Sequence, residues 1–193
     1  MSPAQPPCML GVFVGGKGQR LGGVDKSALP APDGGGSLLE RVLRLGDELL
    51  ASNVIVGRSP GGRRVADDVV QLDDAPSGIG PLGGLCALLA HAGSRPAFAV
   101  ACDMPYVDVT MLRLLRDAPA AAVVAPRDPD TGKWYPLFAR YDSANVLPVA
   151  REAVAAGTRS FQVLFRSLDV RELELDSNQR AKLRDWDRPE DLR

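Results

Sequence analysis

A glycine-rich segment directly after a short, mostly apolar run constrains this chain more than any other feature. Residues 9–14 form the apolar run, and residues 15–23 then contain five glycines. Backbone N–H groups can approach a phosphate closely where side chains are absent, and glycine also adopts the backbone angles that this approach needs. Lys17, Arg20 and Lys26 add positive charge. The pattern predicts a buried strand followed by a phosphate-binding loop, with a flexible surface loop as the alternative.

The spacing within this segment excludes two common phosphate-binding motifs. The dinucleotide-binding fingerprint requires glycine at the position of Leu21. A P-loop requires glycine directly before its Lys-Ser/Thr pair, and here Asp25 precedes Lys26 and Ser27. The segment therefore predicts phosphate binding of another kind.

Strand and helix patterns alternate along the chain, which predicts an α/β fold with a mostly parallel sheet. Residues 1–8 are predicted to form a flexible tail, and residues 9–193 a single domain. Ser37 and Glu40 are spaced as a capping box. The predicted strands are residues 9–14, 53–57, 69–72, 97–102, 120–125, 134–140 and 170–175. The predicted helices are residues 38–50, 85–92, 109–116, 145–156 and 161–168, with a final helical turn at 189–192.

Composition narrows the possible function classes. The net charge of -1 argues against a general nucleic-acid-binding protein, and no apolar run is long enough to cross a membrane. Three separated cysteines predict reduced thiols and a cytoplasmic location. A single histidine and the absence of a Cys-x-x-Cys pair argue against a structural zinc site, so carboxylates are the expected ligands of any metal.

Two further polar segments fall at predicted strand ends. Asp73 and Asp74 precede a Gly-Pro-Leu-Gly-Gly segment, residues 80–84, and Asp103 follows the strand at 97–102. Because ligands bind beyond the carboxyl ends of the strands in such sheets, these segments and the glycine-rich loop predict one site. Asp103 suits Mg²⁺, which takes one or two carboxylates together with phosphate oxygens. The alternative for Asp103 is a turn or helix-capping aspartate.

An acidic segment near the end of the sequence has two interpretations. Asp187 could cap a helix that has Pro189 near its start. Asp185 or Asp187 could instead return to the site as a second metal ligand. The spacing favours the cap.

These segments together resemble the molybdenum cofactor guanylyltransferase family, the MobA-like enzymes. The family's Leu-Ala-Gly-Gly and Arg-Met-Gly-Gly motifs are similar to residues 13–16 and 20–23, followed here by Asp25 and Lys26. Its Gly-Pro-Leu-Ala-Gly and Cys-Asp-Met-Pro motifs are similar to residues 80–84 and 102–105. Later motifs are similar to residues 135–139, 156–159 and 185–191. The order and combination of these motifs along nearly the whole chain make the resemblance specific.

The resemblance implies a Rossmann-like three-layer sandwich of the nucleotide-diphospho-sugar transferase type. It implies Mg²⁺-dependent transfer of GMP from GTP to molybdopterin, with release of pyrophosphate and with transient contacts to molybdoenzymes or other cofactor-biosynthesis proteins. The implied catalytic residues are Lys26, Arg20 and Asp103, with Asp103 as the metal ligand. The implied nucleotide-binding residues are Val14, Gly15, Gly16, Lys26, Gly57, Gly80, Pro81, Leu82 and Asp103, together with either Asp73 or Asp74, between which the alignment with the family does not decide.

The sequence departs from the family pattern at several positions. Gly57 stands where the family has a nucleotide-contacting asparagine, and Tyr135 stands where it has histidine. Asp185 and Asp187 replace the asparagines of the terminal motif, which makes this end more similar to that of cytidylyltransferases. Tyr135 and Arg159 are candidates to bind the acceptor, and Arg127, Lys133 and Arg140 are further basic candidates.

Three alternatives to guanylyl transfer stay open at this point. A molybdopterin cytidylyltransferase would use CTP, and another nucleotidyltransferase would use a different small acceptor. A non-catalytic nucleotide-binding regulator would be expected to lack the metal carboxylate or the loop lysine, whereas this sequence has both Asp103 and Lys26.

Overall fold

The computed structural model describes residues 8–15, 25–49, 52–58 and 69–186. Most of the glycine-rich segment, residues 16–24, lies outside the described residues. So do residues 1–7 of the predicted tail and the predicted helical turn at 189–192.

The described part of the chain forms one seven-stranded sheet in the order β3-β2-β1-β4-β6-β5-β7. β6 is antiparallel to both of its neighbours, and the other pairs are parallel, which confirms the predicted mostly parallel sheet. The strands are β1 Met9–Phe13, β2 Ser52–Val56, β3 Val70–Leu72, β4 Ala97–Ala101, β5 Val123–Ala125, β6 Phe138–Tyr141 and β7 Val170–Glu172.

Helices cover both faces of the sheet. Ser37 caps α1 as predicted: its hydroxyl accepts from the Glu40 N–H, and the Glu40 carboxylate accepts from the Ser37 N–H at 2.7 Å. The helices are α1 Leu38–Asp47, α2 Pro81–Ala92, α3 Val109–Asp117, α4 Ser143–Ala155, α5 Phe161–Phe165 and α6 Ser177–Ala181, together with a 3₁₀ helix at Lys26–Ala28.

The structure corrects several predicted boundaries. The helix predicted at 85–92 begins four residues earlier, because Pro81 is already the first residue of α2. The strand predicted at 134–140 is β6, Phe138–Tyr141, since Tyr135 and Pro136 lie in a turn closed by the Phe138 N–H and the Tyr135 carbonyl. Helix α6 and the 3₁₀ helix were not predicted, because short segments show little hydrophobic periodicity.

Alternating strand residues divide the core into two layers. Phe13 and Ala99 face the cluster that contains α2, α4 and α5, whereas Leu10 and Phe98 face the cluster that contains α1 and α3. Gly11 lies under α2, and a Cβ built there would be 2.6 Å from Leu88 Cδ2. Glycine at this point of β1 therefore lets α2 pack closely on the sheet.

The close approach of α2 generates a stability prediction for Gly11→Ala. The added methyl group should overpack the interface and lower the free energy of unfolding by about 1–3 kcal/mol, measured by urea denaturation. Leu88→Ala alone should also destabilise the protein, by about 2–5 kcal/mol, because it leaves a cavity.

The double variant Gly11→Ala/Leu88→Ala serves as the control. It should lose less stability than the two single losses added together, because the cavity at residue 88 accommodates the new methyl group. Strict additivity would show that Leu88 does not set the requirement for glycine.

Candidate active site

A cleft of about 1010 Å³ lies at the carboxyl ends of β1, β2, β3 and β4. It runs across the sheet from Arg58 and Asp73, beyond β2 and β3, to Asp103, beyond β4. The residues that line it are Phe13, Val14, Gly15, Val56, Gly57, Arg58, Asp73, Asp74, Ser77, Gly80, Pro81, Ala101, Cys102, Asp103 and Leu137. Gly15 at the start of the glycine-rich segment, the Asp73–Asp74 pair and Asp103 are distant in the sequence and line the same cleft.

An ion pair between Lys26 and Asp103 lies at one end of the cleft. Lys26 Nζ is 3.0 Å from Asp103 Oδ2, and both side chains are largely buried, with 14% and 23% of their surface exposed. Lys26 begins the 3₁₀ helix, which Asp25 caps by accepting from the Ser27 N–H and hydroxyl. The cap fixes the start of the lysine segment close to the end of β4.

Cys102 lies beside this ion pair but is not suited to be a nucleophile. Burial raises the pKa of its thiol well above the usual range, and the negative charges of Asp103 and Asp25 act in the same direction. A nucleophilic cysteine requires a lowered pKa. Cys102 is therefore a buried core residue of the layer that contains α1 and α3.

A second group of charges lies at the opposite end of the cleft. Arg58 donates from Nε and Nη2 to the two carboxylate oxygens of Asp73, at 2.6 and 2.8 Å. This pairing lowers the pKa of Asp73. The pKa of Asp74 is raised by burial and by the charge of Asp73. Asp73 is thus held by Arg58, whereas Asp74 lies deeper, against the first turn of α2.

The first turn of α2 forms part of the cleft wall between these two ends. Gly80 precedes the helix with φ +80°, and its backbone N–H acts to lower the pKa of Asp74, against the larger effects of burial and of Asp73. Gly80 and Pro81 line the cleft, but the Leu82 side chain is completely buried in the core. The Leu82 side chain therefore does not reach the cleft, and the implied contact of Leu82 with nucleotide stays a prediction for its backbone alone.

Gly57 lies where β2 ends, and its conformation explains the departure from the family pattern. It has φ +93°, and a Cβ built there would be 2.5 Å from the Val14 carbonyl oxygen. A side chain would collide with the backbone that leads from β1 into the glycine-rich segment. An asparagine is excluded here with the backbone as it stands, and Gly57 lines the cleft through its backbone.

The candidate acceptor residues lie beside the cleft and not among its lining residues. The Tyr135 hydroxyl donates to Asp128 Oδ2 at 3.1 Å. Burial raises the pKa of Tyr135, and Asp128 and Asp185 add to this effect. Arg159 is exposed and donates from Nη1 to the Gly78 carbonyl oxygen at 3.2 Å, so it lies against the loop before α2.

Arg140 is a wrong acceptor candidate. Its guanidinium donates to the carbonyl oxygens of Leu115, Arg116, Ala118 and Pro119. Those carbonyls close the C-terminal end of α3, where the last turn leaves acceptors without partners in the helix. Arg140 therefore fastens α3 to β6 and takes no part in the cleft.

The segment that follows α6 returns to the cleft. The Trp186 N–H donates to the Asp103 carbonyl oxygen at 2.9 Å, and the neighbouring Asp185 is exposed. Asp187 lies outside the described residues, so its predicted cap is not addressed. Among the described residues, no group of three or more histidine, cysteine or acidic side chains is arranged around a common metal position.

Two predicted site residues, Gly16 and Arg20, also lie outside the described residues. Sequence reasoning missed two residues that the structure brings to the site. Arg58 could have been suspected as a charge directly after a strand end, next to the predicted Gly57. Trp186 falls within the terminal motif at residues 185–191, but nothing in its spacing indicates contact with Asp103.

Comparison with known proteins identifies the family. Residues 11–171 match the model of the MobA-like NTP transferase domain. A molybdenum cofactor guanylyltransferase of Pseudomonas putida is 34% identical over 197 residues, covering 100% of this chain and 99% of the relative. A protein of the same name from Pseudomonas syringae is 33% identical and covers 89% and 85% of the two chains.

Solved structures share the fold at lower identity. Molybdopterin-guanine dinucleotide biosynthesis protein A from Archaeoglobus fulgidus superposes with a TM-score of 0.76 at 23% identity, covering 95% and 94% of the two chains. A 2-C-methyl-D-erythritol 4-phosphate cytidylyltransferase from Thermus thermophilus has a TM-score of 0.65 at 16% identity, covering 97% and 95%. The chain belongs to the MobA-like NTP transferase family.

The geometry at residue 57 predicts that Gly57→Ala is unusually destabilising. Residues with side chains are disfavoured at positive φ by about 1–2 kcal/mol, and here the new Cβ also meets a backbone oxygen. The free energy of unfolding, measured by urea denaturation, should fall by more than that conformational cost alone.

Gly157→Ala is the matched control. Gly157 has φ +87°, and a Cβ built there has no neighbour within 4 Å. The free energy of unfolding of Gly157→Ala should fall by about 1–2 kcal/mol, which is the conformational cost alone. Equal losses in the two variants would contradict the assigned collision with Val14.

Proposed function

We propose that this member of the MobA-like NTP transferase family transfers GMP from GTP to molybdopterin and releases pyrophosphate. The observation that carries the proposal is the Lys26–Asp103 ion pair at the phosphate end of a cleft whose other end holds Asp73 and Asp74. Relatives that match almost the whole chain at about one third identity are named molybdenum cofactor guanylyltransferases.

The strand order supports one orientation of the nucleotide. Gly15 and the segment after it follow β1, which lies between β2 and β4 in the sheet. The triphosphate would then bind between the glycine-rich segment, Lys26 and Asp103. The nucleoside would extend toward Gly57, Asp73 and Asp74 at the ends of β2 and β3. Guanine N–H groups would find carboxylate acceptors at that end.

The donor set at Asp103 fits Mg²⁺. A magnesium ion is usually bound through one or two carboxylates plus substrate phosphates, so it does not need a protein cage of three acidic residues. Asp103 would supply the first carboxylate, and Asp185 is the second carboxylate available from the segment bonded to Asp103. When bound, the ion would withdraw charge from the phosphate oxygens.

The reaction would consist of attack by the acceptor phosphate on the α-phosphorus of GTP, with pyrophosphate as the leaving group. Because the attacking oxygen is already anionic, no strong general base is needed. The catalytic contribution of the chain would be positioning and charge stabilisation. Lys26, and Arg20 from the segment outside the described residues, would stabilise the negative charge of the departing pyrophosphate.

The acceptor would enter from the side of β6 and the loop before α2. Leu137 lines the cleft on this side, and Tyr135 and Arg159 lie beyond it. Arg159 could exchange its bond to the Gly78 carbonyl for a stronger charge-assisted bond to the acceptor phosphate. Tyr135 would face the pterin, with its hydroxyl oriented by Asp128.

The reaction would take place in the cytoplasm, with GTP and molybdopterin as substrates. The protein would make transient contacts with proteins that synthesise or receive the cofactor. Cys8, Cys86 and Cys102, all within the described residues, form no disulfide, which supports a reducing compartment. Within the described residues, no helix is long and apolar enough to span a membrane.

The proposed function is tested by pyrophosphate release from GTP in the presence of molybdopterin and Mg²⁺. The wild-type protein should turn over with GTP, and Asp103→Asn should lose at least 10²-fold in kcat, on the order of the loss of one preorganised charge in an active site. Preference for CTP over GTP in the same assay would overturn guanylyl transfer in favour of cytidylyl transfer.

Asp117→Asn is the matched control for Asp103→Asn. Asp117 is an exposed acid at the end of α3 that pairs with Arg116. Its amide variant should keep full turnover. Thermal stabilisation of the wild-type protein by GTP without any turnover would indicate a nucleotide-binding regulator.

Arg159→Ala tests the acceptor side. It should raise the KM for molybdopterin roughly tenfold and leave the KM for GTP unchanged, because a hydrogen bond to a charged group contributes about 1.5–3 kcal/mol. Arg151→Ala is the control: Arg151 is an exposed arginine within α4, and its loss should change neither the KM for molybdopterin nor the KM for GTP. An unchanged KM for molybdopterin in Arg159→Ala would remove Arg159 from the acceptor site.

A further inference from the structure

Trp186 contacts the loop that carries Asp103 through three kinds of interaction. Its backbone N–H donates to the Asp103 carbonyl oxygen at 2.9 Å. Its indole lies edge-on to Tyr106, with 6.3 Å between ring centroids and an interplanar angle of 80°. Its Nε1–H donates to the Tyr106 hydroxyl oxygen, with 3.4 Å between the nitrogen and the oxygen. Trp186 is only 8% exposed, although it follows the last helix of the described chain.

Trp186 also packs against the segment that follows Lys26. Ala31, Leu38 and Trp186 form a small buried cluster, with Leu29 packed against it. This cluster is separate from the two main core layers. The backbone between Lys26 and Leu29 is the capped 3₁₀ helix, whose last hydrogen bond joins the Leu29 N–H to the Lys26 carbonyl oxygen at 3.2 Å.

The contacts therefore form a closed circuit around the ion pair. Lys26 bonds to Asp103, Asp103 bonds to Trp186, and Trp186 packs on the residues that follow Lys26. Residues 182–186 contact the Asp103 loop at a second point, because Lys182 pairs with Asp108 at the start of α3. The aspartate loop is held at both ends by one stretch of chain, residues 182–186.

We propose that Trp186 is a positioning residue that holds the Lys26 segment and the Asp103 loop at the separation required for nucleotidyl transfer. The proposal rests on the proposed function for the reaction itself, but the mechanical coupling of the two segments is independent of it. A packed cluster resists deformation because protein interiors are close-packed. Loss of the indole would remove the packing that couples the two segments, so that the ion pair would be the remaining direct link between them.

The effect on catalysis should exceed the effect on binding. Misplacement of catalytic groups by about 1 Å can reduce rate on the order of 10²-fold. Trp186→Leu should lower kcat by about that factor while the KM for GTP changes by less than threefold, because the cleft wall at Gly57, Asp73 and Asp74 is untouched. Trp186→Phe keeps an aromatic ring in the cluster and should retain most of the turnover.

Phe165→Leu is the matched control for loss of a buried aromatic ring. Phe165 is 3% exposed and belongs to the core layer of α2, α4 and α5, where it packs against Trp134 and Tyr141. This variant should melt at a lower temperature but keep its kcat when assayed below its melting point. Trp186→Leu with the same unchanged kcat would make Trp186 an ordinary core residue and overturn the proposal.

Fluorescence gives a readout that needs no turnover and keeps Trp186 in place. The chain has two tryptophans, so Trp134→Phe leaves Trp186 as the single reporter. In that background, Lys26→Met removes the ion pair. It should shift the Trp186 emission to longer wavelength and increase its quenching by acrylamide. Lys182→Met, which releases the other end of the same segment, should act in the same direction.

The two readouts separate failure of this inference from failure of the proposed function. Absence of turnover in the wild-type protein, with a clear emission shift in Lys26→Met, would reject guanylyl transfer and uphold the coupling. Turnover in the wild-type protein, with Trp186 emission and quenching unchanged by Lys26→Met, would reject the coupling and uphold the reaction. If Trp186→Leu does not fold, the emission experiment decides.

Discussion

Parallel pairing of β1 with β2 and β4 is the constraint on which the candidate site depends. Parallel strands end at the same edge of a sheet, so the loops that follow them share one cleft although their residues are far apart in the sequence. Helix α2 packs closely on these strands because Gly11 in β1 leaves room for the Leu88 side chain. Gly84, in the first turn of α2, likewise lies close to Val56 in β2. Close packing of α2 thus brings Gly80 and Asp74 to the same cleft as Asp103.

Charge is distributed unevenly along this cleft, and the distribution suits a nucleoside triphosphate. The Lys26–Asp103 pair is partly shielded from water, so its attraction is screened less than that of the exposed Arg58–Asp73 pair. A triphosphate brings negative charge to Lys26, and a magnesium ion would bring positive charge to Asp103. Each of the two residues would then exchange its present partner for a group whose charge has the same sign as that partner.

Much of the fold and part of the site could be predicted from the sequence. The capping box of Ser37 and Glu40 and the strand before Asp103 are local patterns, and both were predicted correctly. Arg140 is an acceptor candidate by its charge alone, but its guanidinium satisfies the carbonyls that end α3. The resemblance implies that Leu82 contacts nucleotide, but its side chain is enclosed by the core. The β6 direction also depends on pairing across the sheet.

The sequence by itself determined which segments bear the chemistry, because glycine spacing, strand-end aspartates and the order of the motifs are properties of the chain. Only the tertiary structure decided how those segments meet. It pairs Lys26 with Asp103, and it brings the backbone of Trp186 to Asp103 although the two residues are far apart in the sequence. It also requires glycine at residue 57, because the Val14 carbonyl lies where a side chain would be. Contacts of this kind arise from packing between distant segments, and no local pattern encodes them.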